Sequence, residues 1–158
     1  MSPTQKNKFA DAAYGVNRRA QFDYEILDEY EAGVELLGFE VKAIKAGRMS
    51  LIGAFAIVKE NQVWLLNAVI SPYQQNNTPK NYDPARTRRL LLHRAQINEL
   101  LGKSGRAGLT IVPLKVYTKN RRIKLRIGLA RHKKQHDQRE SIKKRDAGRE
   151  IDRTLKGG

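Results

Sequence analysis

Between Gln21 and Gly38 the even positions Phe22, Tyr24, Ile26, Tyr30, Ala32, Val34 and Leu36 are apolar, while the odd positions Asp23, Glu25, Glu29, Glu31 and Glu35 are acidic. Period two over about fifteen residues predicts one long half-buried strand, because successive side chains of a strand point to opposite faces. At about 3.3 Å per residue it would reach roughly 50 Å if straight, longer than a small domain is wide. It is expected to bend near Asp28 or Gly33, as a strand does when its sheet curls into a small barrel. In "GFEVKAIKAG" the alternation fails: Val41 and Ile44 lie three apart among Glu40, Lys42 and Lys45, and Gly47 is placed to stop a short, charged helix.

Further along, Ser50 to Val58 and Val63 to Ile70 read as a strand pair across "KENQ", with Trp64 most simply a core residue. "SPYQQNNTPKNYDPARTRR" reads as a long surface loop. In "LLLHRAQINELLGKSG" Ile97, Leu100 and Leu101 share a helical face, and Gly102 is placed to end the helix. Leu109 to Thr118 and Ile123 to Arg131 flank "KNRR", where Asn120 suits the left-handed backbone of a tight turn. Five strands with a helix between the third and fourth is the chain order of the OB-fold. The expected fold class is therefore mainly β: an OB-fold-like barrel, closed or partly open, with two helices.

The barrel is expected over residues 17–130, after a flexible N-terminus at 1–16 and before a basic tail at 131–158. That tail has ten Lys/Arg and five Asp/Glu, with Ile142, Ile151 and Leu155 as its only large aliphatics. So little apolar area cannot offset an ordering entropy of about 1–2 kcal/mol per residue, which predicts disorder in the free protein. Glu140 with Lys144 and Asp152 with Lys156 have helix-supporting spacing, and Ala147, Ile151 and Leu155 form a thin stripe. The tail is thus expected to become helical only against a partner.

Charge narrows the partner. With 31 Lys/Arg against 16 Asp/Glu the formal net charge is +15, a field that draws polyanions, of which nucleic acid is the commonest in a cytoplasm. A membrane surface would call for a basic helix with an aromatic or leucine-rich face, and the tail has no aromatic residue. Cysteine is absent, so neither disulfides nor thiolate metal sites are available. "MSPTQKNKFADAAYG" lacks an apolar signal core and no run reaches membrane-spanning length, so the expected location is the cytoplasm, with no membrane partner.

Catalytic motifs fail on inspection. "GKS" at Gly102 to Ser104 lacks the earlier glycine of a phosphate-binding loop, since Ile97 stands there. His132 and His136 are spaced like a helical metal pair, but only Asp137 is near as a third ligand, so no metal or cofactor is expected. Asp23, Glu25, Glu29 and Glu31 fit a solvated acidic strip that keeps one side of the barrel off RNA. Arg18, Arg19, Lys42, Lys45, Arg48, Arg86, Arg88 and Arg89 instead fit a phosphate-contacting face. Phe22 and Tyr24 divide between two readings, core by parity or a stacking platform for an unpaired base. At this level a nucleic-acid-binding role, such as a ribosomal or translation-initiation RNA binder, and a metal-dependent nuclease both stay open.

Several stretches taken in order then carry a resemblance: "NRRAQFDYEILDEYEAGVELLGFEVKAIKAGR", "VWLLNAVISPY", "DPARTRRLLLHRAQINELLGK", "GLTIVPLKVYTKN" and "KKQHDQRESIKKRDAGREI". Together they resemble the bacterial SsrA-binding protein family, SmpB, over about residues 17–155. The resemblance implies a non-enzymatic adaptor that binds the tRNA-like domain of transfer-messenger RNA (tmRNA) and delivers it to stalled ribosomes for trans-translation. It also implies an indirect link to elongation factor Tu through the alanylated RNA, and a monomer when free.

Carried over by position, the RNA-meeting residues would be Asn17, Arg18, Arg19, Phe22, Tyr24, Glu40, Lys42, Lys45 and Arg48. For Glu40 two roles are open: accepting from a base amino group, or orienting a neighbouring Lys or Arg. In the tail, Lys133, Lys134, His136, Asp137, Arg139, Ile142, Lys143 and Arg145 would enter the decoding site and the empty message channel. The chain departs from the family pattern at Phe22, commonly His; at Ala43, commonly Ser; at Gly53 and Phe55, commonly polar; at Arg121 and His132, commonly Gly; and at Gln138, commonly Lys.

Overall fold

The computed structural model describes residues 13–133, apart from positions 75, 77 and 107. In chain order these form β1 (Ala13–Val16), α1 (Arg18–Asp23), β2 (Tyr24–Val34), α2 (Gly38–Lys45), β3 (Met49–Ser50), β4 (Phe55–Lys59), β5 (Gln62–Leu66), β6 (Val69–Ile70), β7 (Arg88–Leu91), α3 (Arg94–Ser104), β8 (Leu109–Lys119) and β9 (Arg122–His132). The main sheet runs β1-β8-β4-β5-β7-β2-β9, and β9 pairs back onto β8. Six strands therefore close into a ring. β8 gives one edge to β9 and divides the other between β4, at Ile111, and β1, at Lys115 to Tyr117. β3 and β6 form a separate two-stranded sheet.

The mainly β expectation thus takes the form of a closed ring, and the two expected helices are α2 and α3. A third helix, α1, precedes them and holds Phe22 and Asp23, which parity had placed on the long strand. Asn17 explains the difference: its Oδ1 accepts from the Ala20 N–H at 3.1 Å, a helix N-cap worth about 1 kcal/mol, and a local cap outweighs a two-residue extension of alternation. The expected strands at 50–58 and 63–70 are each broken in two, by a turn with Gly53 at φ +76° and by Asn67 at φ +64°. α3 runs through Gly102, and its buried side rests on Ile97 and Leu100, with Leu101 exposed. The ordered strands also cross the expected boundaries at both ends, since β1 begins at Ala13 and β9 ends at His132.

The predicted bend in the long strand is a bulge, with the β2–β9 register shifting between Ile26 and Asp28. One extra residue there has a large effect, because it turns the apolar set to the other face. Tyr30 and Ala32 face the main core inside the ring, with Leu125 and Ile127 of β9. Tyr24 and Ile26 face a second, smaller cluster with Ala20 of α1, Val112, Leu114 and Ala130. A matching shift in β8, between Pro113 and Lys115, turns Leu114 the same way. Even parity was therefore a sound guide to burial along β2, but it served two cores.

Gly128 is the hinge of this arrangement. A Cβ built on it would lie 3.0 Å from Ile26 Cγ2 and 3.0 Å from Leu114 Cδ1, two side chains placed by the two bulges. Gly128→Ala is expected to lower unfolding free energy by about 1–3 kcal/mol through overpacking. Urea melts would show a lower midpoint at unchanged slope, and an unshifted midpoint would mean the α1 cluster is loosely packed.

Candidate nucleic-acid interface

α2 begins and ends on residues with clear physical reasons. The Leu37 N–H, unsatisfied at a helix start, donates to Glu40 Oε1 at 2.8 Å. At the other end Gly47 takes φ +77°, where a side chain would be strained, and Arg48 N donates back to Ala43 O at 3.0 Å. Glu40, Ala43 and Ile44 are buried, while Lys42 and Lys45 are exposed on the last turn, where cations suit the helix dipole. Ala43 is buried and faces the core, so it offers RNA no contact.

The Glu40 carboxylate is fully buried, and everything around it is a donor. Arg88 Nε and Nη2 donate to Oε2 at 2.9 and 2.7 Å, Tyr82 Oη donates to Oε2 at 2.7 Å, and Arg86 donates to both oxygens. Arg88 is itself fully buried and completes its shell with Ala68 O at 2.8 Å, Arg86 O at 3.0 Å and Pro84 O at 3.0 Å. Burial alone would push the Glu40 carboxyl up. The donors from Arg86, Leu37, Tyr82 and Arg88 overcome this and hold it down at about 2. Burial and the Glu40 carboxylate push the Tyr82 hydroxyl up to about 12.

This cluster corrects two expectations. Glu40 does not offer a carboxylate to RNA; of its two possible roles, it orients neighbouring arginines. Arg88 is no phosphate contact, Arg86 is turned onto Glu40, and Arg89 lies 2.9 Å from Glu35. Asn17 is also withdrawn from RNA, being buried with its Nδ2 donating to Pro113 O at 2.8 Å and Leu51 O at 3.2 Å. The acidic strip is offset as well: Glu31 accepts from Tyr117 at 2.6 Å and lies near Lys119, Glu29 pairs with Arg126 at 3.5 Å, and Asp28 with Lys103 at 3.4 Å.

Of the remaining residues, Lys42 and Arg48 share one surface with two aromatic side chains. Phe39 stacks edge-on against Tyr82, with centroids 4.7 Å apart. Beside it Gly38, Phe39, Lys42, Tyr73 and Gln74 line a groove of about 250 Å³. Arg48 lies 5.5 Å from the Tyr73 ring centroid and reaches Pro72 O at 3.4 Å. Asn17 and Arg48 flank the two ends of β3, since Asn17 bonds Leu51 and Arg48 directly precedes Met49. On α1 Arg18 and Arg19 are exposed, with Arg19 paired to Asp23 at 3.1 Å. Phe22 and Tyr24 are half-buried, and the Tyr24 ring meets His132 edge-on at 5.0 Å.

Phe39 and Tyr73 were missed in the sequence; an aromatic three residues before Lys42 was the available signal for the first, and the second lay in an unpatterned loop. Of the tail residues named as decoding-site contacts only Lys133 is described, its N–H donating to Asp23 O at 2.8 Å. Lys134, His136, Asp137, Arg139, Ile142, Lys143 and Arg145 lie outside the described residues. Among the described residues no group of three or more His, Asp or Glu could hold a metal ion, and no helix is long and apolar enough to cross a membrane.

The SmpB protein family model matches residues 14–157. The chain belongs to the SmpB family. It is 51% identical over 140 residues to the SsrA-binding protein of Gloeothece citriformis, covering 89% of this chain and 90% of that one. Against the SsrA-binding protein of Chloroflexus aurantiacus the identity is again 51%, covering 89% and 88%. Among solved structures, a chain from "tmRNA-SmpB: a journey to the center of the bacterial ribosome" superposes with a TM-score of 0.65 at 43% identity, over 81% of this chain and 93% of that chain.

Glu40 makes stability depend on acid in a defined direction. Its folded pKa of about 2 lies below its ordinary 4.5, so the linked stability is fully present above about pH 4.5 and is lost as pH falls through 2. The linkage is about 3 kcal/mol. Glu40→Gln is expected to cost about 3–5 kcal/mol at neutral pH by leaving buried arginine unpaired. In urea melts over a pH series the gap between wild type and variant should narrow below pH 4.5. A gap constant down to pH 2 would show that the carboxylate is not held in its ionised form.

Proposed function

We propose that this chain is the RNA-binding adaptor of trans-translation: it binds the tRNA-like domain of tmRNA and delivers that RNA to ribosomes stalled without a stop codon. Membership of the SmpB family supports this reading. The observation that supports it in the structure is the groove beside α2, where Lys42 meets the aromatic surface of Phe39 and Tyr73 and Arg48 lies over the Tyr73 ring. Exposed cations supply phosphate affinity without sequence preference, and aromatic faces suit unstacked bases. Arg18 and Arg19 of α1 are exposed and offer further cations.

In this reading the protein catalyses nothing. It acts in the cytoplasm as a monomer until it meets RNA and reaches elongation factor Tu only through the alanylated tmRNA. The strands form one RNA-binding unit, and the segment from Lys134 onward is a separate device that enters the decoding site and the vacant message channel. Lys and Arg there would meet ribosomal RNA phosphate, and His136 would stack on a decoding-site base.

The two parts are separable by truncation after Lys133, which keeps all of β9. The truncated protein should hold the tRNA-like domain within about threefold of full-length affinity, prefer it over ordinary RNA of equal length, and fail to support tagging on stalled ribosomes. Tagging by the truncated protein would refute the role of the tail. Equal affinity for ordinary RNA would favour a general ribosomal RNA binder.

A further inference from the structure

Trp64 is not in the core. In β5 the alternation places Val63 and Leu65 inside the ring and Trp64 on its outer wall, half-exposed. The indole N–H donates to Lys59 O at 3.3 Å, which fixes the edge of the ring. Directly across the β5–β7 pair stands Arg89, and a groove of about 340 Å³ runs between them and the chain entering α2, lined also by Leu37, Arg86 and Glu35. Leu37 is 46% exposed. The groove is therefore walled by an aromatic ring and an apolar side chain on a chain of net charge +15.

Its charge is unbalanced in a particular direction. Of the charged side chains that line it, Arg86 and Arg89 are cations and Glu35 is an anion, leaving one positive charge over. The Arg89 Nε is buried and lies 2.9 Å from Glu35, yet it has no aligned hydrogen-bond acceptor, so the ion pair does not use that N–H well. A ligand that brings an anionic oxygen and a flat apolar ring would satisfy both walls. A single-stranded RNA segment has both, at the spacing of a base and its own phosphate.

We propose that this groove is a second nucleotide site, in which Trp64 stacks on an unpaired RNA base while Arg89 holds the adjoining phosphate. The site is separate from the groove lined by Lys42 and Tyr73, and it stands whether or not tmRNA is the partner of that other groove. A protein that grips a folded RNA beside α2 would thereby hold a single strand along its wall.

Trp64 is the sole tryptophan of the chain, so its fluorescence reports this groove directly. Titrating the full-length protein with single-stranded hexa-adenylate at low salt should quench the emission saturably, also when the tRNA-like domain is already bound in excess. With a labelled hexamer followed by anisotropy, Trp64→Ala should weaken this binding at least about fivefold. Arg89→Gln, and Thr87→Glu as a surface variant at the groove's rim, should weaken it while leaving affinity for the labelled tRNA-like domain within about twofold. Absence of quenching, quenching abolished by the bound tRNA-like domain, or equal affinity in both charge variants would overturn the proposal. Quenching by poly-glutamate but not by hexa-adenylate would overturn it in favour of an acidic protein segment.

Discussion

The structure depends on one buried ion pair. Glu40, on the inner side of a short helix, and Arg88, at the start of a strand, are both fully withdrawn from water and meet at 2.7 Å. Taking two charges out of water costs several kcal/mol each, and their attraction offsets that cost only when geometry is good and the remaining donors are satisfied. Both conditions hold here. The carboxylate receives Arg86, Arg88, Tyr82 and the Leu37 N–H, and every nitrogen of the Arg88 guanidinium has an acceptor. Such a pair adds little net stability compared with well-packed leucines, but it permits only one arrangement of its partners.

That arrangement explains how a long irregular segment is held in place. The chain from Ser71 to Thr87 has no strand or α-helix among its described residues, yet Tyr82, Pro84 and Arg86 are tied to the cluster and Ile70 N donates to Pro84 O at 3.0 Å. With the segment held down, Tyr73 sits by Arg48, and Phe39 rests on Tyr82. The acid on a basic face is therefore not a contact with RNA. It is the post around which Phe39, Tyr73 and Arg48 are set, and the bulges in β2 and β8 do the corresponding work for α1 by turning Ile26 and Leu114 beneath it.

Local chemistry was legible in the sequence, and long-range chemistry was not. The stop of α2 at Gly47 and the left-handed Asn120 in the last hairpin depend on one or two residues and their neighbours, and both are as expected. Arg121 also takes a left-handed backbone, at φ +66°. Arg88 could not be read correctly, because its partner lies 48 residues earlier and "ARTRRLLL" looks like a basic surface without it. Trp64 failed for another reason: the apolar run "VWLLNAVI" has no polar alternation to say which side is inside. The Glu40 motif and the basic residues around it were recognised from the sequence, but their division into buried post and exposed contacts needed the fold.

The most direct test of the post is a double-mutant cycle on unfolding free energy between Glu40→Gln and Arg88→Met in the full-length protein. If the pair is a single buried unit, each single variant leaves an uncompensated polar group. The double variant should then lose less than the sum of the singles by at least about 2 kcal/mol. Losses that add to within about 0.5 kcal/mol would mean the two residues act independently, and that something other than this pair holds α2 and the 71–87 segment together.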